Sequence, residues 1–315
     1  LRFYLDEQLA EKQKRLYTGI AIGLLLMTRH DAVLFVLPLL IHNVIRHRQH
    51  SATLLLAAGL PLLAWTLFSL LYYGFPFPNT AYAKLGDVMP RELLLQRGLT
   101  YFTTSFLRDF ISLAILAGGV IAGLCHKKSQ VRVIALGILL HLFYVVWIGG
   151  EFMRGRFFGW DYLLCVIVLL QWRTHPKKIT LGFVIAAGVS WFFWTPPLAT
   201  PVHWGAEPFR MGDSADGVTQ ERYFFFWFTR FTRYLQRGDE GIHDFGWCQD
   251  GIEQRKQGIT LTASNTVGMH GFCLGTEGKV VDLLGITDPL LARMPHNPAQ
   301  KNWRAGHFLR VVPEG

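Results

Sequence analysis

Charged side chains are scarce in this chain. They make up 17% of its 315 residues, against about a quarter in a typical soluble domain. Hydrophobic residues make up 51%. Several stretches approach the roughly 20 apolar residues that a helix needs to cross a bilayer. These runs are 51–74, 110–124, 131–149, 157–171 and 179–197. The composition therefore argues against a soluble globular protein and predicts a polytopic, mainly α-helical membrane protein.

Acidic residues are absent from three gaps between hydrophobic runs, at 42–50, 125–132 and 172–178. These gaps hold eight cations: Arg46, Arg48, Lys127, Lys128, Arg132, Arg173, Lys177 and Lys178. Lys and Arg concentrate in the cytoplasmic loops of membrane proteins, so the gaps predict an orientation. Topology and anionic membrane lipids account for much of the net charge of +9, and we do not expect nucleic acid as a partner.

The first hydrophobic run, 16–45, is interrupted by Thr28-Arg29-His30-Asp31. One straight helix would place Arg29 and Asp31 in the middle of the bilayer, at a cost of several kcal/mol. Two short helices that meet at the far side would place both at the surface or in a cavity. We favour the second arrangement and keep the first as the alternative. The arrangement with two short helices predicts seven membrane helices and a C-terminus outside the cytoplasm.

The predicted domains are a membrane domain, 1–198, and a small extracytoplasmic α+β domain, 199–315. Two loops of the membrane domain face the far side, 75–109 and 150–156, and Pro76, Pro78 and Gly86 break regular helix in the first. Within the tail we predict strands at 258–263 and 278–284 and a helix at 219–237.

Cysteine is rare, and no CxxC or HExxH pattern indicates a zinc site. Cys125 and Cys165 lie in or beside predicted membrane helices as packing residues. Cys248 and Cys273 lie in the tail, where a disulfide and two buried thiols remain open alternatives. The chain has no recognisable signal peptide and does not begin with Met, so we expect it to be the C-terminal part of a longer polytopic protein.

Polar side chains collect at the predicted far side of the membrane. They are Arg29, Asp31, Asn79, Lys84, Glu151, Arg154 and Arg156. Arginine and lysine at this position could bind the phosphate of a lipid-linked substrate. Carboxylates could orient a hydroxyl, accept its proton or bind a metal ion. Whether a divalent cation takes part therefore remains an open question, and the sequence implies no other cofactor.

Simpler interpretations compete for most of these residues. Arg29 and Asp31 fit a charge pair at a turn, and the arginines of 150–156 fit contacts with lipid headgroups. Lys84 fits ordinary loop solvation, and Asn79 fits a turn residue bonded to backbone. Asp161, one turn inside an apolar run, fits a structural hydrogen bond as well as a catalytic role.

Four segments resemble motifs of bacterial GT-C glycosyltransferases. Residues 73–86, YGFPFPNTAYAKLG, resemble YG-x-x-x-PNT-x-x-AK-x-G, and residues 148–157, IGGEFMRGRF, resemble GGDFM-x-x-RF. Residues 28–31, TRHD, resemble a TRPD/TRPE turn, and residues 282–293, DLLGITDPLLAR, resemble D-x-x-G-x-x-DP-x-x-AR. The resemblance covers about 16–295 and is nearest to terminal arabinofuranosyltransferases of mycobacterial cell walls and to arabinosyltransferases that modify type IV pilins.

The resemblance implies an inverting transferase of the bacterial inner membrane. It would move a sugar, best arabinofuranose, from a polyprenyl-phosphate donor to an extracytoplasmic glycan or pilin-like acceptor. The family's general base belongs to a loop after the first membrane helix, which is expected upstream of Leu1. Glu151, where the family usually has Asp, and Asp31 are the best candidates within this chain.

The resemblance also assigns roles by matched position. It gives donor-phosphate binding to Arg29, Lys84, Arg154 and Arg156, and sugar or acceptor contacts to Asp31, Asn79, Tyr82 and Glu151. It implies that Asp282, Asp288 and Arg293 organise the tail domain. Tail tryptophans are candidates for stacking on sugar rings, although core packing is the more common role: Trp204, Trp227, Trp247 and Trp303.

Two other classes of function remain as alternatives. A transporter or flippase for lipid-linked sugars typically has paired broken helices in two related halves, and the sequence shows one such break, at 28–31. A non-catalytic membrane scaffold that binds a glycan would need neither the cations nor the PNT segment.

Overall fold

The architecture comes from a computed structural model. It describes residues 10–48, 51–85, 89–172, 217–219, 245–300 and 303–312, together with 188, 235 and 236. Several predictions fall outside these residues: the three cations of 172–178, the run 179–197, Trp204, Trp227 and nearly all of the helix at 219–237.

The described part of the chain is mainly helical, with one small sheet. In chain order the helices are α1 (Glu11–Thr28), α2 (Val33–Arg46), α3 (Ser51–Tyr73), α4 (Asn79–Leu85), α5 (Arg91–Arg108), α6 (Phe110–Leu124), α7 (Ser129–Trp147), α8 (Phe158–Leu170), α9 (Gly246–Lys256) and α10 (Val267–Leu274). The strands are β1 (Leu261–Ser264) and β2 (Lys279–Asp282).

The chain divides into two compact units. Unit 1 comprises Leu1–Phe77, Ser105–Trp147 and Gly155–Thr195, and unit 2 comprises Pro78–Thr104, Ile148–Arg154 and Pro196–Gly315. This division differs from a single boundary near residue 198, because two segments of the predicted membrane domain group with the tail.

The predicted break in the first hydrophobic run is confirmed. Helix α1 ends at Thr28, Arg29 is extended with φ −145°, and a short 3₁₀ turn over His30–Ala32 leads into α2. The run is therefore two helices joined at the charged tetrapeptide, as expected of a sequence that keeps charges out of an apolar helix.

Unit 1 is a bundle in which α1 packs against α3, α2 against α7, and α6 against both α7 and α8. Small residues let these helices approach closely, as in many membrane bundles. A Cβ added at Gly137 of α7 would lie 2.8 Å from the Phe35 carbonyl oxygen of α2. One added at Gly119 of α6 would lie 2.4 Å from the Cys165 Cβ of α8.

Two described helices, Ser51–Tyr73 and Ser129–Trp147, are long and apolar enough to cross a membrane, and a third span follows if α5 and α6 form one broken span. The helix Phe158–Leu170 is apolar but shorter. These findings support membrane association. The count of seven spans and the periplasmic position of the tail remain predictions.

The expectation of an irregular loop over 75–109 is wrong for most of its length, because α4 and α5 occupy it. Pro78 precedes the first residue of α4, and Pro90 precedes the first residue of α5. Proline is well tolerated at the start of a helix, where its missing N–H breaks no hydrogen bond. The prolines therefore mark helix starts here and do not exclude helix.

In unit 2, strands β1 and β2 form a parallel pair, with Leu261 opposite Lys279. They coincide with parts of the two predicted strands. Cys248 of α9 and Cys273 of α10 are joined by a disulfide, with their Cα atoms 5.2 Å apart. A separate core cluster consists of Met89, Leu94, Trp303 and Phe308.

Candidate functional site

The charged turn between α1 and α2 forms an ion pair in unit 1. Arg29 Nε donates to Asp31 Oδ1 at 3.0 Å, and Arg29 Nη2 donates to Asp31 Oδ2. The pair is the simple contact that one reading of the sequence anticipated. It is also part of a larger group, because Asp31 Oδ2 lies 3.7 Å from Nε2 of His141.

His141 connects this turn to a second carboxylate. Its Nδ1 lies 2.8 Å from Asp161 Oδ2, and both side chains are fully buried at 0% exposure. The Phe35 ring lies against the imidazole with ring centroids 4.5 Å apart. Three segments thus bring Arg29, Asp31, His141 and Asp161 into one continuous ionic cluster inside a mainly apolar bundle.

An apolar groove of about 350 Å³ runs along the same helices. Its lining extends along α1 from Thr18 to Leu25, a rise of about 10 Å at 1.5 Å per residue, and continues to Arg29, just after the end of the helix. Residues of α2, α7 and α8 complete it, including Phe35, Ile134 and Leu163. Arg29 and Asp31 are the charged residues of its described lining. Thr18 lies near one end of the lining segment of the chain, and these two residues follow α1 at its other end.

This arrangement is suited to an amphipathic anion. Asp31 occupies two N–H groups of Arg29, and a guanidinium has five, so donors remain for phosphate oxygens. The side chain of Arg29 is 33% exposed, whereas that of Asp31 is 15% exposed. The groove thus combines apolar walls with a partly exposed cation, Arg29, in its lining.

A second group of predicted residues lies in unit 2. Lys84 Nζ, at the end of α4, lies 4.0 Å from Oε2 of Glu151, whose side chain is only 2% exposed. Helix α4 also carries Asn79 and Tyr82. The guanidinium of Arg293 lies 3.9 Å from the centre of the Tyr82 ring, and its Nη1 lies 3.4 Å from Asn79 Oδ1. The predicted PNT and DP-x-x-AR motifs therefore contact each other.

Arg310 is buried to 3% exposure behind this group. It donates to the carbonyl oxygens of Ala83, Leu284 (3.3 Å) and Met294 (3.0 Å). Burial lowers the pKa of its guanidinium, although the nearby Asp282 carboxylate raises it. Ala83 immediately precedes Lys84, the residue predicted to bind the donor phosphate. Arg310 therefore holds the backbone next to Lys84.

The acids of the tail motif bind backbone, in agreement with an organising role. Asp282 accepts hydrogen bonds from the N–H of Leu284 and from the N–H and hydroxyl of Thr287. Asp288 accepts from the N–H groups of Leu290 and Leu291 at 2.9 Å each. These turns place Arg293 next to α4.

The part of this segment that belongs to unit 2, residues 150–154, is fixed by contacts within that unit. The Tyr101 hydroxyl donates to the Met153 carbonyl at 3.2 Å, and the Arg154 N–H donates to the Thr219 carbonyl at 2.9 Å. Gly150 has φ +68°, and an added Cβ would lie 2.6 Å from the Tyr101 Cβ. The second glycine of the GGE motif is therefore required by both conformation and space.

The predicted site residues fall into two groups. Arg29, Asp31 and Arg156 belong to unit 1, and Arg156 is exposed. Asn79, Tyr82, Lys84, Glu151 and Arg154 belong to unit 2. Each unit brings some of its members together, as described above. The convergence of all of them on one pocket remains a prediction.

Two residues of these clusters were missed by the sequence reading, His141 and Arg310. A histidine in the middle of the apolar run 131–149 was a usable signal for the first, because ionisable groups in such runs need a partner. Arg310 gave no such signal. Trp303, a candidate sugar platform, packs in a core cluster at 9% exposure, with the Arg97 guanidinium 5.0 Å from its ring centre.

Metal binding has no support from side-chain geometry in the part of the chain that the structure describes. No three His, Cys, Asp or Glu side chains there are placed to hold an ion.

Comparison with known family models, with curated proteins and with solved structures finds no match to this chain.

Proposed function

We propose that the protein is an inverting glycosyltransferase that takes a sugar from a polyprenyl-phosphate donor. The observation that supports this most is the apolar groove of unit 1, with Arg29 and Asp31 as the charged part of its described lining. A polyprenyl phosphate is a long apolar chain with one anionic head, and the groove offers a surface for each part. The motif resemblance adds the sugar, best arabinofuranose, and the extracytoplasmic glycan or protein acceptor.

The proposed reaction exchanges one C–O bond for another. The acceptor hydroxyl oxygen attacks the anomeric carbon, the bond from that carbon to the phosphate oxygen breaks, and the hydroxyl proton passes to a carboxylate base. Arg29 would stabilise the negative charge that grows on the leaving phosphate. Lys84, Arg154 and Arg156 are the further candidates for this role.

Transfer from a radiolabelled polyprenyl-phosphate arabinofuranose by the full-length protein tests the proposal. We expect Arg29→Ala to lower the transfer rate about 10²-fold, the scale for loss of one group that stabilises developing charge. Glu151→Gln should lower it by about 10²-fold or more, the scale for loss of a general base. Lys127→Ala, in a predicted cytoplasmic gap, is the matched control and should stay within about twofold of wild type, as surface charge changes usually do. Wild-type rates in both variants would contradict the proposal.

The same preparation separates the alternatives. A flippase would move the labelled lipid across the bilayer of proteoliposomes without forming a labelled product. A scaffold would do neither and would retain only glycan binding.

A further inference from the structure

The cluster around His141 includes two groups that the proposed reaction does not yet use. His141 and Asp161 are fully buried in α7 and α8, among apolar side chains. Ionisable side chains in such surroundings are costly and tend to mark functional sites. Neither lines the groove, so direct contact with substrate does not explain them.

The geometry fixes the imidazole on two sides. Asp161 lies 2.8 Å from Nδ1, which sets the ring rotation, and Phe35 covers the ring face at 4.5 Å between centroids. The opposite nitrogen, Nε2, consequently faces Asp31 Oδ2 at 3.7 Å. Carboxylates that orient a histidine in this way are common behind functional groups in enzymes.

We propose that His141 and Asp161 are positioning residues, which hold the Asp31 carboxylate against Arg29 at the charged end of the groove. The effect on turnover rests on the proposed function. Asp161 orients His141, and His141 limits the rotation of the Asp31 carboxylate. Arg29 then keeps its remaining N–H groups directed to the donor phosphate, and Asp31 stays placed for the sugar or the acceptor hydroxyl.

A double-mutant cycle tests this chain of contacts. His141→Gln should lower kcat about 10-fold to 100-fold, the range expected when a reacting group is misplaced by about an ångström, with the KM for acceptor nearly unchanged. Because His141 acts through Asp31, the same change should have little further effect in Asp31→Asn protein. Additive losses in the double variant would overturn the proposal, because independent sites add.

Val145→Ala provides the matched control for packing. Val145 lies one turn after His141 in α7 and is equally buried, at 0% exposure. Its truncation should lower the melting temperature but leave kcat within about twofold, since it opens a small cavity and removes no charged or hydrogen-bonding group. If Val145→Ala lowers kcat as much as His141→Gln does, the effect of His141 is one of core packing, and the proposal is contradicted.

A readout that needs no turnover separates this inference from the proposed function. In protein labelled with ¹⁵N-histidine, the His141 resonances are identified by their loss in His141→Gln. Asp31→Asn and Asp161→Asn should each shift both ring nitrogens, because each removes one charged neighbour. If the wild-type protein transfers no sugar, the proposed function fails. The histidine spectrum then tests the positioning role of His141 by itself. His141 signals unchanged by Asp31→Asn would overturn the positioning role.

Discussion

At the scale of single residues, buried polar side chains define the two candidate clusters. Arg29 and His141 lie against carboxylates, whereas Arg310 donates hydrogen bonds to backbone carbonyl oxygens. A buried guanidinium is tolerated when its N–H groups have partners, and its removal leaves those partners unsatisfied. Arg310 is therefore a structural support for Lys84, and its loss should be felt first as loss of stability.

We expect Arg310→Ala to reduce the free energy of unfolding by about 3 kcal/mol or more, since three carbonyl groups lose a charged donor. Thermal unfolding in detergent measures the change as a drop in melting temperature. Lys256→Ala, an exposed cation in the last turn of α9, is the control and should shift stability by no more than about 0.5 kcal/mol. Equal melting temperatures for Arg310→Ala and wild type would show that these bonds contribute nothing.

Prediction from sequence succeeded for single residues when the energetic reason for their position lay in the neighbouring residues of the chain. Arg29 and Asp31 could be placed at a helix break because charges inside an apolar run are expensive. The partner of His141 could not be identified, because Asp161 lies 20 residues away on another helix. Arg310 could not be recognised at all, since Ala83 precedes it by 227 positions and any residue offers a carbonyl.

At the scale of elements, helix packing decides whether the ionic cluster can form. Asp31 stands just before α2, and His141 lies on α7, one turn after Gly137. The close approach of these helices at Gly137 thus fixes the distance between two members of the cluster. Long apolar runs predicted α1, α2, α3, α6, α7 and α8, but not α4, α5, α9 or α10. Prolines stand before α4 and α5, where they are compatible with a helix start, and the prediction of an irregular loop did not allow for this.

Gly137→Ala should force α2 and α7 apart, because the new Cβ would lie 2.8 Å from a backbone oxygen that cannot rotate away. We expect a loss of about 1–3 kcal/mol, as for other overpacked sites. Sugar transfer should fall with it. Gly118→Ala is the matched control: an added Cβ meets nothing within 4 Å there, so the better helix former should be neutral or slightly stabilising. Greater damage from Gly118→Ala than from Gly137→Ala would refute this packing.

At the scale of the whole molecule, the distribution of cations predicts the orientation in the membrane. The gaps 42–50 and 125–132 contain cations and no acids, so both should face the cytoplasm. Composition was sufficient to predict membrane association, which the two long apolar helices support. It was insufficient for the number of spans, because broken and short helices do not meet a simple length criterion.

The chain carries a natural probe of its orientation. Cys125, the first residue of the second gap, is an exposed thiol, whereas Cys165 is buried and the two tail cysteines form a disulfide. In sealed spheroplasts we expect a membrane-permeant maleimide to label Cys125 and an impermeant one to fail until the cells are lysed. Cys125→Ser should abolish the signal. Labelling by the impermeant reagent in sealed cells would reverse the predicted topology.

The groove of unit 1 is best tested with a photoactivatable polyprenyl phosphate and the full-length protein in bilayers. We expect crosslinks on α8 at Leu163 or Ile167, suppressed by excess unlabelled polyprenyl phosphate and weakened about tenfold or more by Arg29→Ala, which removes a charged hydrogen bond to phosphate. Crosslinks that lie elsewhere, or that neither the competitor nor Arg29→Ala reduces, would contradict the assignment of this groove to the sugar donor.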